Sequence, residues 1–478
     1  MSVDRVRAHL EATYPAFLER LHAFLRLPSV STDPAYARGM ADARALLVER
    51  LTAAGFEHVR TIAAGGHPAV YADWLHAPGR PTLLVYGHYD VQPPDPLERW
   101  VSPPFEPTER DGRLHCRGAS DDKGPLSLAL EALGAFLAVE GAIPINVKLL
   151  IEGEEELGSA TLEAICAAHR ELLAADAVLS ADGARWRADL ATVNVGMRGN
   201  AGFELSVHTA GKDLHSGRYG GAVANALHVM AALVASLHHR DGKIAVAGFL
   251  DDVEAIDADT RAALAAIPFD ADGFAAANGA VAAGEPGFGV LERLWLRPTI
   301  EVNGMWGGYT GPGSKTAIPC EAHAKLTMRL APGQTPERAA AAVRRHLEAA
   351  CPPGVTIAFA GERGGSSAYS VPPEHPLLTA VEHAVGRSAG RVPLRVRIGA
   401  TLPLAVLAHR TLGLDTVMFS FSTADEDFHA PNEFIRLSAL REGLSAWVDL
   451  LRAVGEQPVE AYARHRRAHD RTPPARAQ

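Results

Sequence analysis

Apolar residues recur along this chain in two rhythms. From Val6 to Leu27 they fall at helical spacing, and Pro28 closes the run. Met40 to Ala54 repeats that spacing and stops at Gly55. Shorter apolar runs follow, and Ala69 to Trp74 and Thr82 to Tyr86 read as strands. Next come a helix over Pro125 to Val139, a strand over Asn146 to Ile151, a helix over Leu162 to Ala174 and a strand over Ala177 to Leu179. Alternation of this kind predicts an α/β layout on a largely parallel sheet. Functional residues in such sheets gather beyond the carboxyl ends of the strands.

The rhythm changes near Gly199. Phe203 to His208, Ala322 to Leu330 and Val355 to Ala360 read as strands, and Ala222 to Leu237 and Thr335 to Ala350 as helices. That pattern predicts a compact antiparallel sheet with two helices, interrupted by an Ala- and Asp-rich insertion between roughly Asp241 and Gly287. After Pro376 the α/β rhythm returns, with helices over Leu377 to Val385 and Leu402 to His409 and a strand over Thr416 to Phe421. The expected layout is a first domain in two parts, 1–198 and 373–458, an inserted domain over 199–372, and a polar, loose tail over 459–478.

Composition narrows the function classes. The 478 residues are 47% hydrophobic and carry a formal net charge of -10. Such a chain can bury a large core, and without a basic stripe it offers nucleic acid no footprint. No apolar run reaches the roughly 18 residues of a membrane span. Met1 to Leu10 lacks the pattern of a secretory leader. The four cysteines are far apart, so neither a zinc ribbon nor a disulfide framework is expected, and a cytoplasmic location is the plain reading. With 21 histidines, a lone histidine says little.

Three strand ends concentrate ligand chemistry. Thr82 to Tyr86 runs into His88 and Asp90, which are two apart, so that an imidazole can ligate a metal while the carboxylate takes its other ring N–H. Asp121 and Asp122 precede a helix, where carboxylates commonly stabilise the N-terminus. A carboxylate facing two cations can also bridge them. Glu154-Glu155-Glu156 follows an apolar strand. As neighbours they point different ways, so one can ligate a metal while another acts as general base. Each motif alone is compatible with a solvated turn, and Asp182 and His429 are unremarkable by themselves.

Taken together and in this order, these residues resemble the M20 family of metallopeptidases, in particular its dipeptidase branch, which includes the cytosolic non-specific and carnosine dipeptidases. Arg117-Gly118-Ala119-Ser120-Asp121-Asp122-Lys123-Gly124-Pro125 is the most specific motif. Tyr309 to Thr316 and Leu214 to Gly221 point to the dipeptidase branch, and the resemblance runs from about Leu25 to Leu451. It implies a zinc-peptidase-like catalytic domain with a mixed, largely parallel sheet and an inserted two-layer α+β lid or dimerisation domain. It implies two divalent metals, zinc first, with manganese or cobalt also compatible. His88 and Asp182 would hold one metal, Glu156 and His429 the other, and the Asp121 carboxylate would bridge them, with the Asp121-Asp122 peptide bond cis. Asp90 would orient His88. Glu155 would be the general acid/base for a water between the metals that attacks a dipeptide and releases its C-terminal amino acid. His215 would reach the site of a second copy in a homodimer. Arg329, at the end of an apolar strand, suits a bidentate grip on the substrate carboxylate. Thr316, Thr401 and His375 match substrate-contact positions. Gly399-Ala400-Thr401-Leu402-Pro403 departs from the branch's usual Gly-Gly-Ser-Ile-Pro by a methyl beside the substrate path. The alternative activity is an N-acyl or N-carbamoyl amino-acid amidohydrolase.

Overall fold

The computed structural model describes residues 3–277 and 279–469. By contact the chain forms two units. The first comprises Met1–Val195, Val371–Val396 and Leu402–Gln478, and the second Gly196–Ser370 with Arg397–Thr401.

Among the described residues, the first unit is built on a six-stranded sheet. Its order is Glu57–Ile62, Ala69–Trp74, Asn146–Glu152, Thr82–His88, Ala177–Ser180, Thr416–Met418. The last four are mutually parallel, and Ala69–Trp74 joins them antiparallel. Ala69–Trp74 is buried along its whole length, as is Leu83 to His88. Continuous burial requires a helix layer on both faces, which explains the unbroken apolar runs. Tyr71, Tyr86 and Leu150 pack under Leu162, Ile165, Leu404 and Ala408, from the helices Leu162–Ala168 and Pro403–Leu412. Helix Leu437–Gly455 packs on Lys123–Glu140 and Pro376–Ala389, with Trp447 fully buried. In the register of the two central strands, His88 stands opposite Glu152.

The second unit is a two-layer α+β body. Its antiparallel sheet runs Thr299–Gly307, Glu321–Leu330, Gly199–His208, Thr356–Ser366. Gly199–His208 alternates buried and half-buried positions without a break. Its inward residues Phe203, Leu205 and Val207 join Leu326, Met328, Met230 and Val343 in one core beneath the helices Ala226–Ala235 and Pro336–Ala350. The pattern alone missed the edge strand Thr299–Gly307, whose outer positions mix Glu, Asn and Trp.

Other departures have local causes. The expected helix Val6–Leu27 is two helices, Val3–Ala12 and Tyr14–Leu25, because Pro15 cannot continue the hydrogen-bond ladder. The helix over Leu162–Ala174 breaks at His169. The strand from Thr416 ends at Met418. Arg397–Thr401 clusters with the second unit, inside the segment assigned above to the first domain. The expected loose tail is helical over Val459–His469, where Tyr462 is fully buried and donates to Gln457 at 2.7 Å. Residues 470–478 of that tail lie outside the described residues. No described helix is long and apolar enough to cross a membrane.

Helix Lys123–Glu140 starts under tight constraint. Gly118 has φ 85°, and a Cβ on Gly124 would stand 2.0 Å from the Ala119 carbonyl oxygen. Buried Lys123 donates to the carbonyls of Leu27 (2.6 Å) and Phe24 (3.2 Å), which tethers the end of helix Tyr14–Leu25. Gly124→Ala is therefore expected to cost about 1–3 kcal/mol. A lower urea midpoint by tryptophan fluorescence would show it; an unchanged midpoint would mean that the turn yields freely.

Candidate metal centre

Four parallel strands of the first unit end at one edge and deliver loops that carry the site residues. His88 is the last residue of Thr82–His88. Asn146–Glu152 leads into a single 3₁₀ turn, Glu155–Leu157. Ala177–Ser180 leads to Asp182, and the loop after Thr416–Met418 carries His429 in the left-handed region, φ 59°. Asp121 comes from the turn before helix Lys123–Glu140, and its bond to Asp122 is cis.

Close packing seats these groups. A Cβ at Gly87 would meet Asp122 Oδ2 at 2.7 Å, so only glycine lets that carboxylate accept the His88 N–H at 3.0 Å. His88 Nδ1 lies 3.0 Å from the Asp90 carbonyl oxygen and 3.4 Å from Asp90 Oδ1. The Asp90 carbonyl oxygen can only accept, so Nδ1 is the donor there and Nε2 is free to serve a metal. Nε2 stands 3.1 Å from Asp121 Oδ1. The Asp90 carboxylate also accepts the backbone N–H of Glu155 (3.3 Å) and Glu156 (3.1 Å) and the Ser31 hydroxyl (2.7 Å). It thus shapes the glutamate turn as well as facing His88.

His429 Nε2 lies 2.9 Å from Asp121 Oδ2 and 3.2 Å from Glu156 Oε2. Two donor groups result, His88 with Asp121 and Asp182, and Asp121 with Glu156 and His429. The donor atoms of each lie within 4.8 Å of one another. Asp121 belongs to both, one oxygen toward each histidine. Mixed imidazole and carboxylate donors around a shared carboxylate fit a pair of divalent cations. Glu155 is in neither group. It lies half-buried beside them.

The charged groups of the centre shift one another. Burial pushes Asp182 up to about 6 against the pull of His88, with the charges of Asp121 and Glu156 adding to the rise. Burial holds Glu155 well above the carboxylate range, and Asp182, Asp121 and Glu156 push the same way. The bonds to Asp121 and Glu156 lift His429 to about 10. Burial opposes a charge on His88, but its bonds to Asp121 and Asp90 raise it well above its ordinary value. Ligation needs neutral imidazoles and ionised carboxylates, so protons and metal compete for these residues.

Several supporting groups had no signal in the sequence. Gln92 donates to Glu156 Oε2 at 2.7 Å. Glu433 grips the turn that carries Asp121. A lone amide and an acidic residue ahead of a short strand follow no spacing rule. Glu154, given no role above, accepts the His67 N–H at 2.8 Å and the Thr161 hydroxyl, pinning the loop before Ala69.

The remaining expected site residues divide. His215 and Thr316 are exposed in the second unit, where Ser216 N–H donates to the Thr316 carbonyl at 3.0 Å. Arg329 lines a cavity of about 470 Å³ with Asn200, Asn303 and Thr327, and points Nη1 at the Thr401 hydroxyl, 3.5 Å away. That hydroxyl donates to the Arg198 carbonyl at 2.6 Å, so Thr401 steadies Arg329. The Arg198 guanidinium is spent on the carbonyls of Gly399 and Arg297, and burial beside Arg329 brings it down to about 10. His375 requires correction as a substrate contact. It is fully buried and caps helix Pro376–Ala389 by accepting the Leu377 N–H at 3.2 Å, with Asp415 and the His465 ring beside it.

Comparison with known proteins places this geometry. Human "Beta-Ala-His dipeptidase" is 29% identical over 382 residues, 77% of this chain and 74% of that protein. "Cys-Gly metallodipeptidase dug1" of Schizosaccharomyces pombe is 28% identical over 462 residues, 93% of this chain and 96% of that protein. Among solved structures, the M20 family metallo-carboxypeptidase Sso-CP2 from Sulfolobus solfataricus superposes with a TM-score of 0.80 at 30% identity, covering 92% of this chain and 99% of that one. The family model described as Peptidase family M20/M25/M40 matches residues 84–453, a span that begins inside the central strand ending in His88 and takes in every donor of both groups. With its fold, its donor set and this match in agreement, the chain belongs to peptidase family M20/M25/M40.

Proposed function

We propose that this chain is a metallo-dipeptidase that cleaves a dipeptide at its one peptide bond and releases the C-terminal amino acid. The two donor groups joined through Asp121, with Glu155 beside them but outside both, carry this reading. A bound pair of divalent cations, zinc first and manganese or cobalt as alternatives, would supply Lewis acidity toward the peptide carbonyl and acidify water. His88, Asp121 and Asp182 would hold one cation, and Asp121, Glu156 and His429 the other. Glu155 takes the proton from the attacking water and hands it to the leaving amine. Its backbone is held for that task by Asp90, and its raised affinity for protons suits a group that must receive and return one.

The second unit supplies a candidate for the substrate's charged end. Among the described residues no carboxylate pairs with Arg329, and Arg198 adds positive charge nearby. An anion is the partner such a site favours. The edge strand Thr299–Gly307 leaves Val302, Met305 and Trp306 exposed. An unpaired edge that exposes apolar side chains among polar ones can pair with a second copy. A homodimer of that kind supports the reading in which exposed His215 serves the neighbouring copy's site.

Chelation should abolish release of free amino acids from a dipeptide panel, and zinc, manganese or cobalt should restore it; activity that survives metal removal sinks the mechanism. N-acyl or N-carbamoyl amino acids in the same panel decide the alternative, because only a dipeptidase needs the free α-amino group. Glu155→Gln should keep its metals by elemental analysis while kcat falls about 10²–10⁴-fold. Arg329→Met should lower kcat/KM about 10–100-fold for dipeptides, and far less for their C-terminal amides. For the dimer, Trp306→Asp should sediment as a monomer. A mixture of inactive His215→Ala and Glu155→Gln chains should regain turnover, since a mixed dimer holds one intact site; no recovery refutes the shared site.

A further inference from the structure

The side chain that fixes the bridging ligand is itself four residues past a ligand. Glu433 is fully buried and accepts hydrogen bonds on both oxygens. Oε1 takes the backbone N–H of Ser120 (2.9 Å) and of Asp121 (3.0 Å). Oε2 takes the Gly118 N–H (3.0 Å) and Nη1 of Arg117 (2.8 Å), whose guanidinium is also buried. One carboxylate thus collects four donors from a five-residue turn. It hangs on the loop that carries His429, where Asp427, His429 and Asn432 all have positive φ. The same loop adds lesser ties. Ser120 Oγ donates to Glu426 at 2.5 Å, and Ser422 Oγ donates to the Ser120 carbonyl at 2.7 Å. Asn432 binds the 99–101 segment through the Arg99 carbonyl and the Val101 N–H.

We propose that Glu433 is a positioning residue for the metal centre, locking the Asp121 turn to the His429 loop so that the two ligands keep their spacing. The proposal rests on the metal-binding reading above. Its chemistry is specific: all four partners are donors, so the position needs two acceptor oxygens. An amide has one. Glu433→Gln keeps the size but turns an NH₂ group toward two N–H donors. Groups that orient metal ligands in this way typically cost about 10–100-fold in metal affinity when changed. A merely structural glutamate would lower stability and leave the affinity of the folded protein alone.

Cobalt(II) is the probe, titrated into the metal-stripped full-length chain against a chelator, with its visible d–d spectrum recorded. For Glu433→Gln we expect cobalt affinity about 10–100-fold weaker, an altered spectrum and a fall in kcat with KM for a dipeptide changed less than twofold. Glu433→Asp, which keeps both oxygens on a shorter stem, should fall between it and the unaltered chain. A variant with unaltered cobalt affinity and spectrum, whatever its thermal midpoint, overturns the proposal. If Glu433→Gln does not fold, Glu433→Asp decides by the same criterion. An unaltered chain that takes up no cobalt overturns the metal reading, and this proposal with it.

Discussion

Everything in the centre depends on the parallel register of the central strands. Thr82–His88 lies between Asn146–Glu152 and Ala177–Ser180, with Tyr86 paired to Leu150 on one side and Ser180 on the other. All three strands therefore end at the same level, and their loops open at one edge. Parallel strands cannot be joined by tight hairpins, so each returns through a longer crossover. One crossover holds helix Lys123–Glu140, and its N-terminal turn brings Asp121 back to the edge where His88 waits. An antiparallel arrangement of the same strands would send neighbouring ends in opposite directions and scatter these ligands.

What the register assembles is an electrostatic conflict. Asp121, Asp182, Glu155 and Glu156 crowd together beside the imidazoles of His88 and His429. The shifts in Asp182 and His429 express that conflict from opposite sides: the acid holds its proton longer, and the base takes one more readily. A surrounding frame of hydrogen bonds keeps the groups from relaxing apart. Asp90 pins the glutamate turn, Asp122 pins the backbone of His88, Gln92 pins Glu156, and Glu433 pins the turn of Asp121. Each pin is a polar group acting on a donor residue or its close neighbour, the support a metal centre would need to hold its spacing.

Apart from His429, the residues of the two donor groups were legible because they end apolar runs or start a helix. His88, Glu156 and Asp182 follow strands whose burial shows in the residues themselves, and Asp121 stands at a helix start. His429 was legible only through its resemblance to a family motif, since its loop makes more than one turn without regular structure. Glu433 and Gln92 were not legible, because a contact that joins position 121 to position 433 leaves no local pattern. His375 misled for a related reason: motif matching places a residue along the chain but does not say whether its ring faces a cleft or caps a helix. The same limit hid the edge strand Thr299–Gly307, whose alternation is broken by polar residues, and the helix Val459–His469, held by the single buried ring of Tyr462.

The second unit interrupts the first between Asp182 and His429, and this has a consequence in time. During synthesis the chain emerges from its N-terminus. His88, Asp121, Glu156 and Asp182 are all made before the second unit begins, and His429 and Glu433 only after it is complete. Four of the five donor residues then exist without the fifth, and the turn of Asp121 lacks the carboxylate that holds it. The nascent first unit is an open, acidic edge until its last segment arrives. The donor set is therefore complete only once the segment after the inserted body has been made.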